Sequence, residues 1–135
     1  MRSKIKILLI EDDQNILLVE KICLEANGYE VLEAVDGLQG LEASIHDRPD
    51  IILLDILIPR LNGYMVLEAL QNNSGTRNIP VLVTSAKAQT HDLQQAFTYK
   101  IYGYLIKPFT SRELLNKIKD VLERNKDDSG VGDNE

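Results

Sequence analysis

Five short apolar runs, each followed by a longer amphipathic or turn-rich stretch, constrain this chain more than any other feature. Ile5-Lys6-Ile7-Leu8-Leu9-Ile10 opens the series. So few polar positions indicate a strand covered on both faces. Residues 29–34, 50–55, 79–84 and 104–106 repeat the pattern, with Pro80 at the entry of the fourth run. Helical spacing fills the intervals. Ile16, Val19 and Cys23 recur at i, i+3 and i+7 on a helix closed by Asn27-Gly28. Asp36-Gly37 opens a second helix carrying Leu38, Leu41 and Ile45, which Pro49 stops. Residues 64–71 form a third. Residues 89–100 form a fourth, with Leu93, Ala96 and Phe97 facing inward. Thr110-Ser111-Arg112-Glu113 fits a capping box. The fifth helix after it buries Leu114, Leu115, Ile118, Val121 and Leu122 and is expected to end near Arg124. Strands and helices alternating in this way predict an α/β domain, a parallel sheet with helices on two faces.

A chain of 135 residues suits one core. The domain is expected over 4–124, followed by an acidic, disordered tail over 125–135. The net charge of −6 argues against sequence-independent nucleic-acid binding, which needs clustered Lys and Arg. The excess acid sits in two places. The last ten residues carry −3, and Glu11, Asp12, Asp13 and Asp55 carry −4, leaving a nearly neutral body of +1. The single cysteine, Cys23, excludes an internal disulfide and reads as a packed helix residue. His46 and His91 lack ligand partners at metal spacing and read as surface residues. No apolar run approaches the roughly 20 residues that span a bilayer. Met1-Arg2-Ser3-Lys4 leads into a strand, not into a secretory signal.

In a parallel sheet the ligand site lies beyond the carboxyl ends of the strands. Here those ends carry Glu11-Asp12-Asp13, Asp55, Thr84-Ser85 and Lys107-Pro108. Carboxylates gathered there repel one another unless a cation sits among them. Hard oxygens without Cys or His point to Mg²⁺ or a similar ion. For Asp13 alone, a helix-initiating acid is an equally good reading. That reading does not account for Asp55 at the end of an apolar strand. A carboxylate nucleophile, a divalent cation, a lysine and a hydroxyl together suit phosphoryl transfer, which needs mainly positioning and charge neutralisation. Asp55 would accept the group as an aspartyl phosphate.

Ile10-Glu11-Asp12-Asp13, Leu54-Asp55-Ile56-Leu57-Ile58-Pro59 with Asn62-Gly63, Val83-Thr84-Ser85-Ala86 and Tyr104-Leu105-Ile106-Lys107-Pro108-Phe109 resemble the signature blocks of the response-regulator receiver domain of two-component signalling. They stand in that family's order and spacing over about residues 4–124. The resemblance implies a flavodoxin-like doubly wound sheet of strand order 2-1-3-4-5 with five helices. It implies that Asp55 is the phosphoacceptor and that Glu11, Asp12 and Asp55 hold Mg²⁺, or Mn²⁺, with the Leu57 backbone carbonyl. Lys107 and Ser85 then attend the phosphoryl group, and Ser85 and Tyr104 form the switch. A Lys107–Pro108 cis bond is frequent in the family.

The implied partners are a sensor histidine kinase or phosphotransfer protein and a downstream protein. They would meet a cytoplasmic switch with no direct nucleic-acid binding, no membrane insertion and a phosphorylation-dependent homodimer. The domain would not be an enzyme beyond weak self-catalysed phosphotransfer and autodephosphorylation. Two features depart from the family pattern. Lys100-Ile101-Tyr102-Gly103 precedes strand five and suggests exposed Ile101 and Tyr102 on a partner-facing surface. Gly40 stands where Ala is common, a packing change. An Asp-nucleophile phosphatase is disfavoured because Leu57 occupies the acid/base position. A phosphate-binding loop after strand one is disfavoured by its acids. The alternative is a degenerate receiver, a phosphorylation-independent interaction module.

Overall fold

The structure, a computed structural model, describes residues 4–58, 60–86 and 94–133, with 127–133 by backbone alone. The strands are β1 (Lys6–Ile10), β2 (Glu30–Ala34), β3 (Ile51–Asp55), β4 (Val81–Ala86) and β5 (Gly103–Lys107). The helices are α1 (Gln14–Ala26), α2 (Gly37–Asp47), α3 (Gly63–Asn72), helical residues 94–96 (α4) and α5 (Ser111–Asp133). The sheet is wholly parallel, in the order β2-β1-β3-β4-β5. This is the doubly wound, flavodoxin-like arrangement that the family resemblance implies, built on the parallel sheet that the alternation predicts.

Alternate residues of each strand enter opposite layers, because successive side chains point to opposite faces. Leu8, Ile10, Ile52, Leu54, Val81 and Val83 pack with Val66, Leu67 and Leu70 of α3. Ile7, Leu9, Ile51, Leu53, Leu82 and Leu105 pack with Leu17 and Leu24 of α1 and Leu114, Ile118 and Val121 of α5. Register aligns the strand ends on one edge. Ile10 lies opposite Leu54, Asp55 opposite Thr84, and Ala86 opposite Lys107.

Helix ends follow their local chemistry. Asp13 caps α1, accepting from Asn15 N at 2.9 Å and Ile16 N at 3.1 Å. The capping box closes α5: Thr110 N donates to Glu113 Oε1 at 2.9 Å, and Glu113 N to Thr110 Oγ1 at 3.1 Å. Gly63 is required by a close approach. A Cβ there would lie 2.6 Å from the Ile56 carbonyl oxygen, which the Gly63 N–H itself contacts.

Several sequence expectations are corrected. The buried face of α1 is Leu17, Glu20 and Leu24, not Ile16, Val19 and Cys23. Cys23 is only half-buried and Val19 is 63% exposed. Apolar residues surround this helix, so spacing alone does not select which stripe meets the sheet. On α2 the buried residues are Gly37, Gly40 and Ser44, while Leu38 and Ile45 are exposed. The helix lies too close for larger side chains: a Cβ on Gly40 would meet Ile10 Cδ1 at 2.4 Å.

Strand β4 sits two residues later than expected, so Thr84 and Ser85 lie within it. Ala96 is buried as expected, but Phe97 is 54% exposed and meets Tyr104 edge-to-face at 5.5 Å. Ile101 and Tyr102, expected on the surface, are half-buried against the two core layers. The Tyr102 ring has the Lys100 ammonium at 5.7 Å and the Arg124 guanidinium at 6.0 Å. Helix α5 is described through Asp133, past the expected helix end near Arg124. Extending a nucleated helix costs far less than starting one, and no proline stops this one. His91 and Leu93 lie outside the described residues.

Candidate functional site

The carboxyl edge of the sheet gathers the site. Glu11 directly follows β1, where its N–H donates to the Ala34 carbonyl at 3.0 Å. This places its side chain among the strand ends, and the residue is buried. Asp12, next along, is exposed. Asp55 ends β3 and is buried. Lys107 ends β5 and reaches across, donating to Glu11 Oε1 at 2.5 Å and to Asp55 Oδ2 at 3.0 Å. The second Asp55 oxygen accepts from Leu57 N at 3.1 Å, and the second Glu11 oxygen from Asp13 N at 3.1 Å. Charge-assisted bonds of this kind hold a lysine far more firmly than an exposed pair does.

Burial pushes the Glu11 acid above its usual range, assisted by the charge on Asp55 and opposed by Lys107 and the Asp13 N–H. Burial alone would lower the Lys107 ammonium, but its two carboxylate partners raise it. Glu11, Asp12 and Asp55 each offer a carboxylate oxygen, and these lie within 4.8 Å of one another. Three hard oxygens so close, without sulfur or imidazole among them, fit an Mg²⁺-type ion. That ion would supply neutralising charge to phosphoryl oxygens.

The remaining predicted residues fall around this centre. Ser85 is fully buried on β4 beside Ile106, and its hydroxyl donates to the Ala86 carbonyl at 3.2 Å. Leu57 is exposed beside Asp55. Tyr104 is exposed on β5 and packs edge-to-face against Phe97. It is not a core aromatic. The Lys107–Pro108 peptide is cis. Asp13 caps a helix, the plainer of its two readings.

Sequence reading missed Glu20. It lies on the buried face of α1 in register with Leu17 and Leu24. Burial first, then the charge on Glu11, pushes its acid up to about 7. Spacing could not single it out, because Leu17, Glu20 and Leu24 repeat at i, i+3 and i+7 as Ile16, Val19 and Cys23 do.

This edge brings three acids and a bridging lysine together on a 2-1-3-4-5 parallel sheet. Residues 7–119 match the response regulator receiver domain family, and the chain belongs to it. Among curated relatives, it is 38% identical over 119 residues to the DNA-binding dual master transcriptional regulator RpaA of Synechocystis, covering 88% of this chain and 49% of that protein. It is 33% identical to the phosphate regulon transcriptional regulatory protein PhoB of Pseudomonas aeruginosa, covering 96% of this chain and 55% of that protein. The chain thus spans about half the length of the curated relatives it matches.

Among solved structures, it superposes on the receiver domain of the sensor histidine kinase PA1611 of P. aeruginosa, with magnesium coordinated in the active site cleft. The TM-score is 0.83 at 28% identity, covering 90% of this chain and 99% of that one. The chemotaxis response regulator CheY4 of Vibrio cholerae gives a TM-score of 0.82 at 27% identity, covering 88% of this chain and 99% of that one. Among the described residues, no helix is long and apolar enough to cross a membrane.

Proposed function

We propose that this receiver domain, over residues 4–124, is a phosphorylation-controlled switch that takes a phosphoryl group on Asp55 from a histidine kinase or phosphotransfer protein. One observation carries the reading: Lys107 bridges Glu11 and Asp55 with the Asp12 carboxylate in reach. An Asp55 oxygen forms the new bond to phosphorus. The P–N bond to the donor imidazole breaks, and its electron pair stays on that nitrogen. Glu11, Asp12, Asp55 and the Leu57 backbone carbonyl would hold Mg²⁺ or Mn²⁺, whose charge offsets that of the phosphoryl oxygens. Lys107 exchanges a carboxylate partner for a phosphoryl oxygen, and Ser85 donates to another.

The change at Ser85 passes along β4 to its neighbour β5, where Tyr104 packs on Phe97. The α4–β5–α5 face thereby controls a downstream protein or a phosphorylation-dependent homodimer. Turnover is limited to weak self-catalysed phosphotransfer and autodephosphorylation. RpaA is described as DNA-binding, but this chain covers only 49% of it. The net charge of −6, concentrated partly at the site, disfavours direct nucleic-acid contact by this part. A cytoplasmic site of action follows from the proposed donor.

Incubation with acetyl phosphate and Mg²⁺, followed by intact-mass measurement, tests the reading. One phosphoryl group should be gained only with Mg²⁺, and Asp55→Asn should gain none. No gain under any condition, or an equal gain in the variant, refutes it.

A further inference from the structure

A groove of about 560 Å³ opens beside Lys107, between α1 and the segment that follows β5. Ile16 and Val19 of α1 and Pro108 and Phe109 supply most of its apolar lining. Its volume lies within the range of small-molecule pockets, roughly 300–1,000 Å³. Glu20 also lines it, although the residue is only 5% exposed. The Glu20 carboxylate makes no hydrogen bond or ion pair among the described residues. No fully enclosed side-chain oxygen or nitrogen lacks a partner among them. The Glu20 oxygens therefore keep a path to solvent, and the groove provides it.

Lys107 does not answer this acid. Its ammonium is already committed to Glu11 at 2.5 Å and to Asp55 at 3.0 Å. Two carboxylates share that ammonium, Glu20 is left without a cation of its own, and one is favoured there. A metal ion needs several oxygen ligands, which the apolar walls do not offer. An anion would meet the Glu20 carboxylate while the lining's one cation, Lys107, stays held by Glu11 and Asp55, and a neutral apolar molecule would leave the carboxylate unpaired. An organic ammonium satisfies both parts of the lining. Its binding would also draw out the proton that burial leaves on Glu20 near neutral pH.

We propose that this groove binds a small organic ammonium ion, its nitrogen paired with Glu20 and its apolar frame laid against Ile16, Val19, Pro108 and Phe109. The inference is independent of phosphoryl transfer to Asp55, so either can fail without the other.

The test follows amide NMR shifts of the full chain with 2-phenylethylamine and with its neutral counterpart 2-phenylethanol. Mg²⁺ is kept saturating so that the strand-end acids are occupied. The amine should bind about tenfold more tightly than the alcohol. Shifts should centre on Ile16, Val19, Glu20 and Phe109. Glu20→Gln, which keeps the side-chain shape, should bring the two affinities together by weakening the amine alone. Equal affinities in the unaltered chain overturn the proposal. So do shifts centred on Asp12 and Asp55, which mean a counter-ion at the acidic site. Shifts centred on Leu18 and Ile22 mean a general apolar surface, and also overturn it. Should Glu20→Gln fail to fold, the amine-to-alcohol ratio and the shift map of the unaltered chain decide the matter.

Discussion

Replacing Glu20 by glutamine keeps the shape of the side chain and removes its titration. In the folded chain this carboxyl is pushed from an ordinary 4.5 up to about 7, chiefly by burial, with Glu11 and Asp55 adding to the effect and Lys107 opposing it. Between those values the unfolded chain has released the proton while the folded chain retains it. Stability contributed by this group therefore falls as pH rises through the window and levels off above about 7. At roughly 1.4 kcal/mol per pH unit, the gap corresponds to about 3 kcal/mol. Glu20→Gln should stabilise the protein by about 1 kcal/mol at pH 5 and by about 3 kcal/mol at pH 8. Urea unfolding of both proteins at the two pH values measures the difference. A stabilisation that is the same at pH 5 and pH 8, or a loss of stability at pH 8, refutes the assignment of Glu20 as a buried, unpaired acid.

Lys107→Met leaves Glu11 and Asp55 facing each other without their shared cation. It should cost about 1–3 kcal/mol at pH 8 by urea unfolding, and added Mg²⁺ should restore part of that loss. Gly63→Ala forces a methyl group against the Ile56 carbonyl. It should lower stability by about 1–3 kcal/mol, seen as a depressed Tm, with secondary structure retained by circular dichroism. Leu57 is exposed beside Asp55, and we propose that it obstructs the approach of water to an acyl phosphate there. Leu57→Asn should shorten the phosphoryl lifetime several-fold by intact-mass decay, and an unchanged lifetime would remove Leu57 from that role.

The architecture was legible because its carriers are local. Apolar runs such as Ile51–Leu54 mark strands covered on both faces, and Thr110 with Glu113 marks a helix start. The strand-end acids and Lys107 were legible because a parallel sheet must bring its strand ends to one edge. What escaped is set by distance between packed elements, which spacing does not encode. Helix α2 approaches β1 so closely that Gly40 and Ser44 take the buried positions instead of Leu38 and Ile45. Helix α1 carries apolar residues all round, so only its docking reveals that Glu20, and not Val19, faces inward. Phe97 and Tyr104 meet only when α4 and β5 are placed side by side.

Borohydride reduction after phosphorylation tests the central claim most directly, because it converts an aspartyl phosphate to homoserine and marks its position. After treatment with acetyl phosphate and Mg²⁺, peptide mapping should find homoserine at position 55 alone, and none when Mg²⁺ is withheld. Conversion at Asp12 or Asp13 in place of Asp55, or at no residue while a phosphoryl group is retained, would contradict the assignment of Asp55 as the acceptor.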